Sequence, residues 1–162
     1  MRKIFLIFPN QLFKIKKQFT DVNHIALIQD NLFFGCDSQW QQKFHCQKII
    51  FHKATMDSYE EDLKSQGFNV IYLKHQRESR TEDNLNYLLE KGFNYFITYE
   101  AFDWSLEKRI KDFSLKNNIK LEIRKNDMFL TCPDISEEIL NQKKIYGMQK
   151  FYKIQRKSLN IL

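Results

Sequence analysis

Five short apolar runs, separated by longer polar segments, constrain the fold of this 162-residue chain more than any other feature. The runs occupy residues 3–8, 24–28, 69–73, 95–99 and 120–123. Each has the length of a buried strand and is too short for a buried helix. The segments between the later runs have helix length, and Gly67 and Gly92 provide stop signals for two of them. This alternation predicts an α/β fold, with an open, doubly wound sheet of about five parallel strands and helices on both faces.

The intervening helices are predicted at residues 41–66, 82–91 and 103–117. In the first of them, one buried stripe is expected to contain Phe44, Phe51, Tyr59 and Leu63. Asp103 is the expected N-cap of the third helix, and Glu107 and Lys111 have the spacing of an i,i+4 ion pair. This arrangement leaves the loops after the strands at one edge of the sheet, where open α/β sheets bind ligands.

A further helix is predicted to begin at Met148 and to run to the last residue, Leu162. Its apolar positions recur at helical spacing, and the basic residues Lys150, Lys153 and Arg156 lie between them. A helix with such a stripe needs a surface to pack against, either the sheet of its own domain or a second domain. We therefore predict an α/β domain at 1–147 and a helix at 148–162 that leads out of it.

Composition narrows the class of protein. The balance of 43% hydrophobic and 28% charged residues is that of a globular chain, and the formal charge of +6 favours contact with polyanions. Cys36, Cys46 and Cys132 lack CxxC spacing, so neither a disulfide framework nor a metal site is expected. Pro9 interrupts the N-terminal apolar run, which is too short for a signal peptide or a membrane span. We expect a soluble, cytoplasmic protein without a glycine-rich phosphate loop.

The loops after the first two strands begin with groups that can recognise a ring system. Asn10 and Gln11 follow the first strand, and Gln29 and Asp30 follow the second. Amide and carboxylate groups at neighbouring strand ends can bind the donor and acceptor edge of a heterocycle. The competing interpretation is that Asn10 caps a helix and that Gln11 is exposed. The pattern favours a small-molecule or nucleotide-type site without naming the ligand.

An aromatic loop and a basic helix come next in the chain. Phe34, beside Phe33, is expected either to wall an aromatic ligand or to close the core. His45, Lys48 and His52 are spaced to share one helix face. On that face they either bind an anion or a polar heterocycle, or form a solvated basic stripe.

The end of the fourth strand adds one more carboxylate to the same sheet edge. Glu100 occupies this position, and Phe102 and Trp104 follow it. The two aromatic residues favour a packing corner over a ligand stack. We therefore include Glu100 in the candidate site and leave Trp104 out of it.

Together these segments resemble the N-terminal domain of the deoxyribodipyrimidine photolyase-related proteins, a bacterial branch of the photolyase and cryptochrome family. The matching stretches are FPNQLF, LIQDNLFFG, KFHCQKIIFHKATM, TYEAFDWSLEKRIK, NDMFLT and MQKFYKIQRKSLNIL. They occur in the family's order and cover most of the chain. Gln29 stands where relatives often carry a glutamate, and Pro9-Asn10-Gln11 stands where Gly-Asp-Gln is common. In that family the corresponding part is a Rossmann-like α/β domain of antenna type.

The resemblance implies a lumazine antenna chromophore near the ends of the first two strands, where some members bind one. The residues expected to hold it are Asn10, Gln11, Gln29, Asp30, Phe34, His45, Lys48 and Glu100. The resemblance also implies a C-terminal helical domain that binds FAD, an iron–sulfur cluster and damaged DNA, and that performs light-driven repair. This chain stops where that domain would begin, so we expect the non-catalytic part of a DNA photolyase-type flavoprotein, with the FAD domain as its partner.

Two other classes of function stay open at this point. A stand-alone basic α/β adaptor would bind nucleic acid or a protein through Lys150, Lys153 and Arg156. A small nucleotide-using enzyme of the same fold is disfavoured because the chain has no phosphate-binding loop.

Overall fold

The computed structural model describes residues 1–14, 19, 21–40, 42–126, 128–129 and 147–161. These fall into two compact units, 1–126 and 127–162. The strands of the first unit are β1 (Lys3–Ile7), β2 (His24–Ile28), β3 (Asn69–Leu73), β4 (Tyr95–Tyr99) and β5 (Lys120–Arg124). Its helices are α1 (Asn31–Phe34), α2 (Cys46–Ser65), α3 (Thr81–Glu90) and α4 (Trp104–Lys116).

All five strands pair in parallel, in the order β3-β2-β1-β4-β5. β1 therefore lies between β2 and β4, at the point where the direction of winding reverses. The inner strand β4 is buried along its whole length, whereas the edge strands β3 and β5 are only half-buried. The predicted α/β class and the parallel sheet are confirmed.

Alternating side chains of the sheet supply two hydrophobic cores. Ile4 and Leu6 of β1 point to one face, and Phe5 and Ile7 point to the other, as the period of a strand requires. The first face is covered by buried residues of α3 and α4, namely Leu85, Leu88, Leu106, Ile110 and Phe113. The second face is covered by residues of α2, namely Met56, Tyr59 and Leu63. Helices thus lie on both faces of the sheet.

The helix predicted from residue 41 begins later than expected. His45 is its N-cap, and the first helical residue is Cys46. Phe51 was expected in the buried stripe, but it is 64% exposed. The stripe is set by Met56, which lies five residues after Phe51 and therefore on another side of the helix. The predicted cap of α4 is confirmed, since the Asp103 carboxylate accepts a hydrogen bond from the N–H of Leu106 at 3.0 Å.

The second unit contains a helix, α5, that spans Met148–Leu159. The prediction that it runs to Leu162 is wrong. Asn160 adopts the left-handed conformation (φ 52°), and its N–H donates to carbonyls of the last turn, which ends the helix. The proposed division at residue 147 stays a prediction.

Candidate functional site

The carboxyl ends of β1, β2 and β4 form the sheet edge that the sequence singled out. Because β1 lies at the winding reversal, the loops after β1 and β4 leave this edge in different directions, as at the ligand crevice of open α/β sheets. Gly35 ends α1 with φ 77°, and a Cβ there would lie 2.5 Å from the Gln42 carbonyl oxygen. Only glycine lets the loop after α1 approach the segment before α2 so closely.

Gln11 joins the ends of β1 and β4. Its side chain is completely buried, which shows that the exposed alternative is wrong. Its Nε2 donates to the Tyr99 carbonyl oxygen at 3.2 Å, and its Oε1 accepts from the Phe8 N–H at 3.3 Å. Both ends of the Gln11 amide are therefore bonded to backbone at the winding reversal.

Gln29 joins the ends of β2 and β3 in the same manner. Its Oε1 accepts from the His75 N–H at 2.9 Å, and its Nε2 donates to the Tyr72 hydroxyl. That hydroxyl donates to Asp57 Oδ1 at 2.8 Å, and Lys53 Nζ donates to Asp57 Oδ2 at 2.6 Å. Burial and the Asp57 carboxylate raise the pKa of Tyr72, so this phenol stays protonated. The amide of Gln29 is thus part of a continuous network that reaches α2.

Acceptor atoms remain at the ends of β1 and β2. Asp30 is completely buried and caps α1, its Oδ1 accepting from the Leu32 N–H at 3.0 Å. Burial raises the pKa of Asp30, against the opposing effects of the Leu32 amide and the Thr81 hydroxyl. Among the described residues, Asp30 Oδ2 and Asn10 Oδ1 are buried without a well-formed hydrogen bond. Buried acceptors without a donor are costly, and they are where a ligand N–H would bind.

Aromatic and imidazole rings form a cluster after β2 and β3, with His52 of α2. Phe34 stacks on His75 with ring centroids 4.9 Å apart and 12° between the planes, and it lies 6.2 Å from the ring of His52. Phe33 meets His52 nearly edge-on. Burial lowers the pKa of both histidines, and Lys48 lowers that of His52 further. Neither nitrogen of His52, nor Nδ1 of His75, has a partner among the described residues.

His75 was missed by sequence reasoning. It follows β3 by two residues, so the rule that selected Asp30 after β2 would have selected it as well. His52 was singled out with His45 and Lys48. The charge of Lys48 acts on His52, but the three side chains make different contacts. His52 contacts the ring cluster, whereas the exposed His45 caps α2 and accepts from the Gln47 N–H at 3.3 Å. The Lys48 ammonium lies 3.5 Å from the centroid of the Phe44 ring.

Of the remaining predicted residues, Glu100 directly follows β4 at the same sheet edge. The backbone of Glu100 is tied to the end of β5, through its N–H to the Arg124 carbonyl and its carbonyl to Asn126 Nδ2. Lys150, Lys153 and Arg156 are exposed on α5, in the second unit. The predicted residues that the structure places at this one sheet edge are Asn10, Gln11, Gln29, Asp30, Phe34 and Glu100.

Comparison with known proteins identifies the family. A family model described as deoxyribodipyrimidine photo-lyase-related protein matches residues 5–162. The chain belongs to this family. An uncharacterized protein of Acanthamoeba polyphaga mimivirus is 31% identical over 172 aligned positions, which cover all of this photolyase-related chain and 85% of the viral protein. The resemblance drawn from the sequence is confirmed over nearly the whole length.

The chemical character of the photolyase-related site follows from its geometry. The amides of Gln11 and Gln29 hold the strand ends in place, while Asn10 and Asp30 offer acceptors and the half-buried His52 and His75 offer rings. Such a site can bind a flat heterocycle, and nothing in it requires covalent chemistry. None of the described helices is long and apolar enough to cross a lipid bilayer.

Proposed function

We propose that this photolyase-related chain is an antenna-type domain. It binds a lumazine-type chromophore at the ends of β1 and β2 and supports flavin-dependent DNA repair by a partner domain, without performing repair itself. The observation that carries the proposal is the pair of buried acceptors at the ends of β1 and β2, Asn10 Oδ1 and Asp30 Oδ2.

The residues present fit a lumazine. A lumazine is a planar heterocycle with ring N–H and carbonyl groups on one edge. Asn10 and Asp30 would accept from that edge, and the half-buried imidazoles of His52 and His75, which contact Phe34, would cover the ring face. The bound pigment would supply light absorption and energy transfer to a flavin, which depend on distance and spectral overlap. The protein therefore has to hold the ring and exclude water rather than react with it.

Titration of the purified chain with a fluorescent lumazine tests the proposal. We expect saturable binding, and we expect Asn10→Ala to weaken it by about tenfold because one buried hydrogen bond is lost. His45→Ala is the matched control, since His45 is exposed and outside the ring cluster. A folded chain that binds no lumazine, or that binds it equally well after Asn10→Ala, would contradict the proposal.

A second candidate function is the basic adaptor. The formal charge of +6 and the row of Lys150, Lys153 and Arg156 on α5 favour contact with a polyanion. Changing these three residues to Glu would abolish nucleic-acid binding under this model and would leave lumazine binding intact. Salt-dependent binding of DNA by the unaltered chain, together with no lumazine binding, would put the adaptor first.

A further inference from the structure

A groove on the α3 and α4 side of the first unit is not used by the proposed chromophore site. It has a volume of about 590 Å³ and is lined by α3, by α4 and by the loop after α1. Trp40 of that loop and Trp104 of α4 both line it, with 53% and 68% of their surface exposed. These are the two tryptophans of the chain. A groove of this size has the capacity of a small-molecule site.

The exposed indoles are not explained by the fold. Trp104 precedes the buried stripe of α4, which begins at Leu106, and lies on another side of the helix. The expected packing corner is therefore wrong for Trp104. Leaving an indole in water forgoes about 25 cal/mol for each Å² of apolar surface that could be buried. A ring stacked on Trp40 or Trp104 would recover part of this free energy.

A buried ion pair holds the loop of Trp40 against α4. Arg109 of α4 donates two hydrogen bonds to Asp37, at 2.6 and 3.0 Å, and a third to Gln39 Oε1 at 2.9 Å. Asp37 Oδ1 in turn accepts from the N–H groups of Gln39 and Trp40, both at 3.0 Å. The Asp37 side chain is only 2% exposed. The backbone of Trp40 is thus held in place before any ligand arrives, which lowers the entropy cost of binding.

The charges around the groove balance. Four basic residues line it, namely Arg80, Lys108, Arg109 and Lys116. Three acidic residues, Glu82, Asp83 and Asp112, line it as well, and Asp37 behind the groove neutralises Arg109. The Lys108 ammonium lies 5.0 Å from the centroid of the Trp104 ring. A balanced set of charges favours an uncharged ligand over a phosphate chain.

Polar groups of the lining can recognise the edge of a ring. Gln39 and Asn86 carry amides, each with donor and acceptor atoms, and Ser105 carries a hydroxyl. We infer that the groove binds an uncharged nucleoside, its base stacked on the indoles and its polar edge bonded by these side chains. A nucleoside combines a flat heteroaromatic ring with a neutral polar sugar, which matches the exposed rings and the balanced charge.

Tryptophan fluorescence tests this inference directly, because both fluorophores lie in the groove. Titration with adenosine and guanosine should give saturable quenching. Trp104→Ala should weaken binding by about tenfold, as measured by quenching of Trp40, since a stacking partner for the base is lost. Tyr87→Ala is the control, because Tyr87 is an exposed aromatic residue of α3 that is absent from the lining. Calorimetry with each folded variant provides a second readout.

Three outcomes would overturn the inference. The first is no saturable response to either nucleoside, and the second is unchanged affinity after Trp104→Ala and Trp40→Ala together. The third is tighter binding of a single-stranded oligonucleotide than of the nucleoside, which would identify a nucleic-acid surface. The inference is separable from the chromophore proposal, since Asn10→Ala should change lumazine binding alone and Trp104→Ala should change nucleoside binding alone.

Discussion

The sheet edge at β1 and β2 and the groove at α3 and α4 use polar and aromatic residues in opposite ways. At the edge, the amides of Gln11 and Gln29 are buried and bonded, and Phe34 is covered by histidines. At the groove, Trp40 and Trp104 are exposed. The sequence predicted a ligand site at the sheet edge, because polar residues follow its strands. Polar residues at strand ends can have all their hydrogen bonds satisfied within the protein. In that case, an exposed aromatic ring on a loop held by an ion pair is a clearer sign of a ligand site.

The largest effect is expected at the ion pair that braces the groove. Asp37→Ala leaves the Arg109 guanidinium buried without its partner, and loss of one member of such a pair costs about 3–5 kcal/mol. We expect the lower end, about 3 kcal/mol, because Arg109 also borders the open groove and water reaches part of it. Urea unfolding measures the change in the free energy of unfolding.

The matched control for this prediction replaces both partners with apolar residues. Asp37→Leu with Arg109→Met leaves no buried charge and should cost less than Asp37→Ala alone. If Asp37→Ala changed the free energy of unfolding by under about 1 kcal/mol, the pair would be solvated like a surface ion pair. The groove would then not be braced, and the contrast with the sheet edge would fail.

The second effect is expected at the sheet edge. Gln11→Ala removes the partner of the Phe8 N–H and one donor to the Tyr99 carbonyl, to which the Thr98 hydroxyl still donates, at a cost of about 2 kcal/mol. Gln76→Ala is the control, because Gln76 is exposed and its loss should stay within about 0.5 kcal/mol. Equal effects in the two variants would show that Gln11 does not tie the strands. Gln11 would then be available to a ligand, as the sequence suggested.

The fold was predictable because its signals are local. The inner strands are buried on both faces, so residues such as Phe5 and Ile97 lie within continuous apolar runs. These runs are too short to be buried helices, which is why they indicate strands. Helix starts were less predictable. The segment before Cys46 has apolar residues at helical spacing, yet His45, whose backbone is extended (φ −63°, ψ 142°), caps the helix.

The candidate sites depend on contacts between distant residues, which one sequence does not reveal. Asp37 and Arg109 are 72 positions apart, and no local pattern relates them. Gln29 and His75 are 46 positions apart, and their contact exists only because β2 pairs with β3. Residue type at a strand end predicts which side chains come together. It does not predict which of them remain free for a ligand.

The third effect distinguishes the two regions by pH. Burial lowers the pKa of His52 and His75, so the unfolded chain binds protons first as the pH falls through the ordinary value of 6.5. The neutral imidazoles therefore contribute their full stabilisation above pH 6.5. This stabilisation is lost as the pH falls from 6.5 to the lower pKa of the histidines in the folded chain. We expect the free energy of unfolding to fall as the pH drops below 6.5, by less than the loss caused by Gln11→Ala.

Two observations check this pH dependence. His52→Phe with His75→Phe should flatten it, because no imidazole then titrates at the edge. The groove lining contains no histidine among the described residues, so native tryptophan emission should stay constant over the same range. The raised pKa of Asp30 acts in the opposite sense at lower pH, since the folded chain then binds the proton more readily. A change of emission with histidine titration would mean that the two regions are coupled.

The smallest effect is expected where the edge network reaches the surface. Lys53→Ala removes an exposed ion pair with Asp57 and should cost under about 0.5 kcal/mol, less still at high salt. Asp57→Ala should cost more, about 1 kcal/mol, because the half-buried Tyr72 hydroxyl also loses its acceptor. Urea unfolding of both variants at low and high salt separates the two contributions. A larger loss for Lys53 than for Asp57 would mean that the ion pair, and not the hydrogen bonds from Gln29 through Tyr72, holds α2 to the sheet edge.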